Sequence, residues 1–122
     1  MEKMYHSLLV RTAARWKIPR ELAMAVISRD EHCIYCRRVF EGSLHPRAAC
    51  PSWEHIVNDA RIITRENIAR CCISCNASKG TKDVTAWLGS AYCSARGITA
   101  ESVAPVVRAM LNQSGSVDAS QA

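Results

Sequence analysis

Four cysteines in two identical spacings constrain this chain more than any other feature. Cys33 and Cys36 form one Cys-x-x-Cys pair, and Cys72 and Cys75 form a second pair after 35 intervening residues. Each pair can turn both sulfurs toward one point, and four thiolates are the ligand set that Zn²⁺ takes in tetrahedral structural sites. Because such a site has no open coordination position, we expect a structural zinc that holds the two ends of the insert together.

The remaining cysteines leave other interpretations open. Cys71 also lies at a feasible ligand spacing from Cys75, although the symmetry of the two pairs favours Cys72. One pair could instead be a redox dithiol, and Cys50 and Cys93, which have no partner at ligand spacing, are expected to be structural or inert. Seven cysteines cannot all pair with one another, and cysteines this dense favour metal ligation in a reducing compartment.

The length and hydropathy of the chain indicate a single cytoplasmic domain. A chain of 122 residues and 13.5 kDa fits one domain of ordinary size. The longest uninterrupted apolar run, residues 22–27, is far shorter than the ~20 residues needed to span a bilayer. No apolar segment typical of a secretory signal follows the first residues. We therefore expect a cytoplasmic protein with no membrane partner.

Helical periodicity surrounds a central irregular region. Residues 3–29 predict two helices separated at Pro19, and a strand-like run at 53–57 predicts β structure between the cysteine pairs. A later helix should stop at Gly97, and the last helix starts at Thr99 or, because of Pro105, further on. The apolar stripe of the first helix consists of Tyr5, Leu8, Leu9, Thr12, Ala13 and Trp16.

These patterns predict a small α+β domain that is mostly helical and spans residues 1–112. Its predicted parts are a helical N-terminal part at 3–29, a zinc-bearing core at 30–80, C-terminal helices at 82–112 and a disordered tail at 113–122.

The central region also carries the residues of a recognisable motif. Glu54-His55 lies inside the strand-like run, Asn67 follows twelve residues after the histidine, and the second cysteine pair continues as Cys75-Asn76-Ala77-Ser78-Lys79-Gly80. Together these residues resemble the HNH endonuclease family, and the resemblance covers roughly residues 27–87, half of the chain. Glutamate stands here where aspartate is more frequent in the family.

The resemblance implies a ββα-metal unit in which two short antiparallel strands pack on a helix. It implies that His55 is the general base, that Asn67 braces the loop bearing the histidine, and that Lys79 lies near the phosphate. Glu54 and Asn76 would hold a catalytic Mg²⁺ or Mn²⁺. The chemistry asks for the same residue types, because phosphodiester hydrolysis needs a base with a pKa near neutrality and a hard cation held by oxygen ligands.

Ordinary roles compete with these assignments. Neighbouring residues of a regular strand point to opposite faces, so Glu54 and His55 can serve one phosphate only if the strand is irregular or if they act from different sides. Asn67 could cap a turn, and Asn76 could be the N-cap of a helix.

Nucleic acid is the expected partner, because the chain has a formal charge of +5 and its cations cluster in the central region. A solvated basic surface would give the same charge. The leading hypothesis is a metal-dependent endonuclease that nicks or cuts duplex DNA, with a homodimer as one way to break both strands. A noncatalytic zinc-knuckle module that binds nucleic acid or protein is the chief alternative, and a thiol redox protein is the third. The expected phosphate contacts are Arg61, Arg65, Arg70 and Lys82.

Overall fold

The computed structural model describes the backbone of residues 2–40 and 46–121 and the side chains of residues 9–40 and 46–113. Within these residues, helices and one two-stranded antiparallel sheet confirm the predicted α+β class. No helix of this described part is long and apolar enough to cross a membrane. The elements are α1 (Glu2–Arg15), α2 (Arg20–Arg29), a 3₁₀ helix (Arg47–Ala49), β1 (Pro51–His55), β2 (Ile68–Cys72), α3 (Ile73–Lys79), α4 (Val84–Leu88), α5 (Ala91–Arg96) and α6 (Pro105–Gln121).

The β1–β2 hairpin lies between two hydrophobic cores. Trp53 and Ile68 pack with the apolar side chains of α1 and α2, whereas Ala69 and Cys71 pack with the cysteine pairs and the C-terminal helices. Successive residues of a strand face opposite sides, so β2 contributes to both cores. All five residues of β2 are buried, which explains why its sequence lacks the polar alternation of a half-exposed strand.

The first helix follows the predicted stripe only in part. Leu9 and Ala13 are buried against α2, while the side chains of Tyr5 and Leu8 lie outside the described residues. Trp16 was expected on the buried stripe, but 49% of its surface is exposed. The reason is that α1 ends at Arg15 and Lys17 takes a left-handed conformation (φ 60°), so that Trp16 lies in the turn rather than on the helix.

The C-terminal half differs from the predicted single helix. The chain forms two short helices, α4 and α5, because Gly89 ends the first and the Ser90 hydroxyl caps the second by accepting from the Cys93 amide. Gly97 then adopts the left-handed conformation that was predicted for a C-terminal cap. The last helix starts at Pro105, where a proline is compatible with the first helical turn.

Helix α6 continues to Gln121, through most of the segment that was predicted to be a disordered tail at 113–122. A helix that has already been nucleated adds one hydrogen bond per residue, so a low apolar content does not by itself end it. Residue 122 lies outside the described residues.

Candidate functional site

The two Cys-x-x-Cys pairs meet in one cluster. Cys33 and Cys36 come from a turn, Cys72 ends β2, and Cys75 lies in the first turn of α3. Their four sulfurs all lie within 4.8 Å of one another. A tetrahedral zinc site with Zn–S distances of ~2.3 Å requires sulfur–sulfur separations of about 3.8 Å. The Cys36 and Cys72 sulfurs are 3.8 Å apart, so the cluster fits a metal ion such as zinc.

Hydrogen bonds link the cluster to its surroundings. The Cys72 amide donates to the Cys33 sulfur at 3.3 Å, and the Tyr92 hydroxyl donates to the Cys75 sulfur at 3.3 Å. Hydrogen bonds among the sulfurs lower the pKa of Cys36 and of Cys72 and raise the pKa of Cys33 and of Cys75, because each shared proton stabilises one thiolate and keeps its partner protonated. Such outer contacts orient metal ligands and tune their basicity, which agrees with a metal centre.

The structure also separates Cys71 from Cys72. Cys71 lies opposite Ser52 in the sheet, with its sulfur 3.9 Å from the serine hydroxyl, and is not part of the cluster of four. Burial raises the pKa of the Cys71 thiol well above its usual value, so it stays protonated. Because neighbouring strand residues face opposite sides, only one of the two can join the cluster, and it is Cys72.

Asn67 fixes the loop that follows β1. Its side-chain oxygen accepts from the Val57 amide at 2.7 Å, and its amide donates to the carbonyls of Val57 and Ile62, both at 3.1 Å. The side chain is completely buried, so these bonds are made without competition from water. Val57 lies two residues after His55, and the arrangement therefore restrains the backbone next to the histidine.

His55 ends β1 and lies under Trp16. The two ring centroids are 5.8 Å apart, and the histidine is 7% exposed. Its Nε2 atom is buried and has no hydrogen-bond partner among the described residues. Burial lowers the pKa of the imidazole below its usual value of 6.5, while the nearby Glu54 charge opposes this shift. The ring is therefore neutral at pH 7, the form that can accept a proton.

Glu54 faces the opposite side of β1 from His55, as the regular strand pairing requires. Its Oε2 atom accepts from the Tyr35 hydroxyl at 2.6 Å and lies 3.1 Å from the Lys79 ammonium. Lys79 is 1% exposed and also donates to the His55 carbonyl at 3.4 Å. The assignment of Lys79 to a phosphate is therefore not supported, because its charge is used inside the fold.

The residues predicted to hold Mg²⁺ or Mn²⁺ make other contacts in this structure. The Glu54 carboxylate is already neutralised by Lys79, and the Asn76 amide donates to the Ser52 hydroxyl at 2.9 Å and the Trp53 carbonyl at 3.0 Å. Among the described residues, the four-cysteine cluster is the one group of three or more histidine, cysteine or acidic side chains placed to hold an ion. Asn76 lies inside α3, whose N-cap is Cys72, so the N-cap role weighed for Asn76 is also wrong.

The four cations expected to contact phosphate separate into two groups. Arg61, Arg65 and Lys82 are exposed, although Arg61 forms a surface ion pair with Asp59 at 2.9 Å. Arg70 is 4% exposed, and its guanidinium donates to the carbonyls of Ile27 and Asp30. Arg70 therefore connects β2 to the end of α2, and in this conformation its guanidinium is buried rather than presented to solvent.

A groove beside the histidine was not predicted from the sequence. It has a volume of about 450 Å³ and lies between the end of α1, the 3₁₀ helix, β1 and α3. Trp16 and Arg47 line one part of it, and Ser52 and Asn76 line another. The signal in the sequence was the placement of a tryptophan at the end of a helix, but the periodicity assigned that residue to the core.

Comparisons with protein-family models, with curated proteins and with solved structures found no match to this chain.

Proposed function

We propose that this chain is an HNH-type endonuclease that hydrolyses phosphodiester bonds in DNA with His55 as the general base. The observation that carries the proposal is the buried Nε2 atom of a neutral His55, which has no hydrogen-bond partner among the described residues and lies at the end of a braced β-hairpin. A base in this state can take a proton from water as the water attacks phosphorus, because a neutral imidazole has a free lone pair that accepts a proton. The β-β-α order of β1, β2 and α3 also agrees with the motif.

Other side chains of the proposed site act by positioning. Asn67 holds the backbone after His55 through three hydrogen bonds, and Asn76 and Lys79 of α3 bond to the carbonyls of Trp53 and His55. These contacts restrain β1, the strand that carries the base, both from α3 and from the loop that follows the strand. The exposed cations Arg65 and Lys82 add affinity for phosphates that depends on salt concentration.

In this proposal the four-cysteine cluster holds a structural Zn²⁺. Support comes from its sulfur geometry and from its place at the junction of β2 and α3. No step is assigned to Mg²⁺ or Mn²⁺, because the carboxylate predicted to hold the ion, that of Glu54, is paired with Lys79. Cleavage therefore has to be measured with and without these ions.

A noncatalytic zinc-knuckle module that binds nucleic acid is the second candidate. The specific observation in its favour is the buried Glu54–Lys79 ion pair, which uses two residues that a nuclease of this type would offer to its substrate or metal. His55 is also largely covered, at 7% exposed.

Supercoiled plasmid separates the two candidates. The proposed nuclease converts it to open-circular or linear DNA, whereas a binding module leaves it supercoiled. His55→Ala should abolish cleavage, and His32→Ala is the matched control because His32 lines a different cavity, beside α6. Elemental analysis should give one zinc per chain for all three proteins. Cleavage by His55→Ala at the wild-type rate would refute the assignment of the base, and linear product at the first turnover would favour a homodimer.

A further inference from the structure

The groove beside His55 has the features of a site for a single nucleotide. Its volume of about 450 Å³ falls within the range of ligand pockets, and its walls are mostly apolar. Leu9, Trp16 and Trp53 provide apolar surface, and the lining also includes the polar side chains of Ser52 and Asn76, which are hydrogen-bonded to each other. An apolar slot with a few polar groups suits a nucleobase, which has a flat hydrophobic face and a polar edge.

Trp16 connects the groove to the proposed catalytic histidine. The indole lines the groove and lies 5.8 Å from the His55 ring, and 49% of its surface is open. Trp53 and Trp87, the other tryptophans, are 3% and 1% exposed. An exposed tryptophan at the border of a groove is a stacking platform for a base, because every base has a π-face.

Arg47 supplies the charge that a nucleotide requires. Its side chain lines the groove, is exposed, and forms no ion pair or hydrogen bond with the part of the chain that the structure describes. A guanidinium in this state can bind a phosphate with two hydrogen bonds. The groove therefore combines a stacking surface with an exposed cation.

We propose that this groove binds one unstacked nucleotide of a single-stranded DNA segment, with its base on Trp16 and its phosphate on Arg47. Because the Trp16 ring also lies 5.8 Å from the His55 ring, a base stacked on Trp16 would bring its strand close to the histidine. A base can stack there only when it has left its own stack, so the preferred substrate is DNA that is locally unpaired. The inference rests on the proposed function in taking DNA as the substrate, and it specifies which form of DNA the site accepts.

Intrinsic fluorescence tests this inference directly, because Trp16 is the one exposed tryptophan among the three. The protein is titrated with a short oligo(dT) and with a duplex of equal length, with no divalent ion added. We expect oligo(dT) to quench the emission and to bind at least tenfold more tightly than the duplex. Quenching by the duplex at equal or lower concentration, or no quenching by oligo(dT), would overturn the inference.

Three variants identify the contacts. Binding of the variants is followed by the fluorescence anisotropy of a dye-labelled oligo(dT), because the Trp16 variants lack the indole whose quenching reports binding in the wild type. Trp16→Ala should weaken oligo(dT) binding by about 5- to 150-fold, the range for loss of one base–aromatic stack, and Trp16→Phe should retain most of the affinity. Arg47→Ala should weaken binding and reduce the salt dependence by about 0.7 in log–log slope, as for one phosphate contact to a single strand. Arg108→Ala removes the same charge on α6, outside the groove, and should leave the affinity for oligo(dT) and its salt dependence unchanged.

The outcomes also separate this inference from the proposed function. Plasmid cleavage without quenching by oligo(dT) would reject the groove and retain the nuclease. Quenching by oligo(dT) with no cleavage of either the plasmid or the oligo(dT) would support the groove and reject the nuclease. If Trp16→Ala does not fold, the wild-type titration and the Arg47→Ala variant still test whether the groove binds a nucleotide.

Discussion

Replacing Lys79 by methionine tests whether this lysine belongs to the fold or to the substrate site. The Lys79 ammonium lies 3.1 Å from the Glu54 carboxylate, and the two side chains are 1% and 6% exposed. At an effective dielectric constant of ~20, two unit charges at this distance attract by about 5 kcal/mol. Removal of one partner of a buried ion pair usually destabilises a protein by about 3–5 kcal/mol, because the other charge is left without compensation. We expect a loss of this size for Lys79→Met.

Urea unfolding followed by circular dichroism measures the effect. Lys82→Met is the matched control, because Lys82 is exposed and its substitution should change the free energy of unfolding by less than about 0.5 kcal/mol. The double variant Glu54→Gln/Lys79→Met should be more stable than Lys79→Met, since it leaves no unpaired buried charge. If Lys79→Met loses less than about 1 kcal/mol but no longer binds DNA, the lysine serves the substrate and the reasoning is refuted.

Three further predictions concern the other parts of the site. Cys75→Ser should lose bound zinc and unfold, as judged by elemental analysis and circular dichroism, whereas Cys93→Ala should keep the metal; equal zinc content in both would contradict the cluster. Asn67→Ala should destabilise the fold by ~1–3 kcal/mol in urea unfolding by leaving the Val57 amide unpaired, and an unchanged midpoint would exclude the bracing role. Because burial lowers the pKa of His55, the unfolded chain binds a proton before the folded chain does as the pH falls. The free energy of unfolding should therefore decrease below pH ~6.5 in the wild type and decrease less steeply in His55→Gln. Parallel pH profiles of the two proteins would contradict the lowered pKa of His55.

The sequence was sufficient for the features that depend on short spacings. Two Cys-x-x-Cys pairs predicted the cluster of four, and the left-handed Gly97 cap followed from its position after a periodic segment. The break between α4 and α5 was missed, although Gly89-Ser90 carries both a helix stop and an N-cap residue. The apolar period continues across this break and therefore predicted one helix. In the structure the two local signals decide, because Gly89 ends the first helix and Ser90 caps the second.

Features that depend on distant partners could not be read from the sequence. Arg70 appeared to be one of several basic residues, but its guanidinium binds the Asp30 carbonyl, which comes from a segment 40 residues earlier in the chain. Lys79 appeared in a family-like position, but strand parity places Glu54 on the side of α3 and so pairs the two. In both cases the local pattern identified a cation, and only the packing of the hairpin between two cores determined its partner.

The position of the cysteine cluster makes the proposed catalytic residue depend on the metal without contact between them. Cys72 and Cys75 belong to the junction of β2 and α3, so an ion bound there fixes the start of α3. Two side chains of α3 then bond to β1: Asn76 donates to the Trp53 carbonyl, and Lys79 donates to the His55 carbonyl. Loss of the ion would release α3, and with it the strand that carries the base and one wall of the groove. Loss of cleavage on chelation is therefore expected for a purely structural zinc, and it is not evidence that the ion takes part in the reaction.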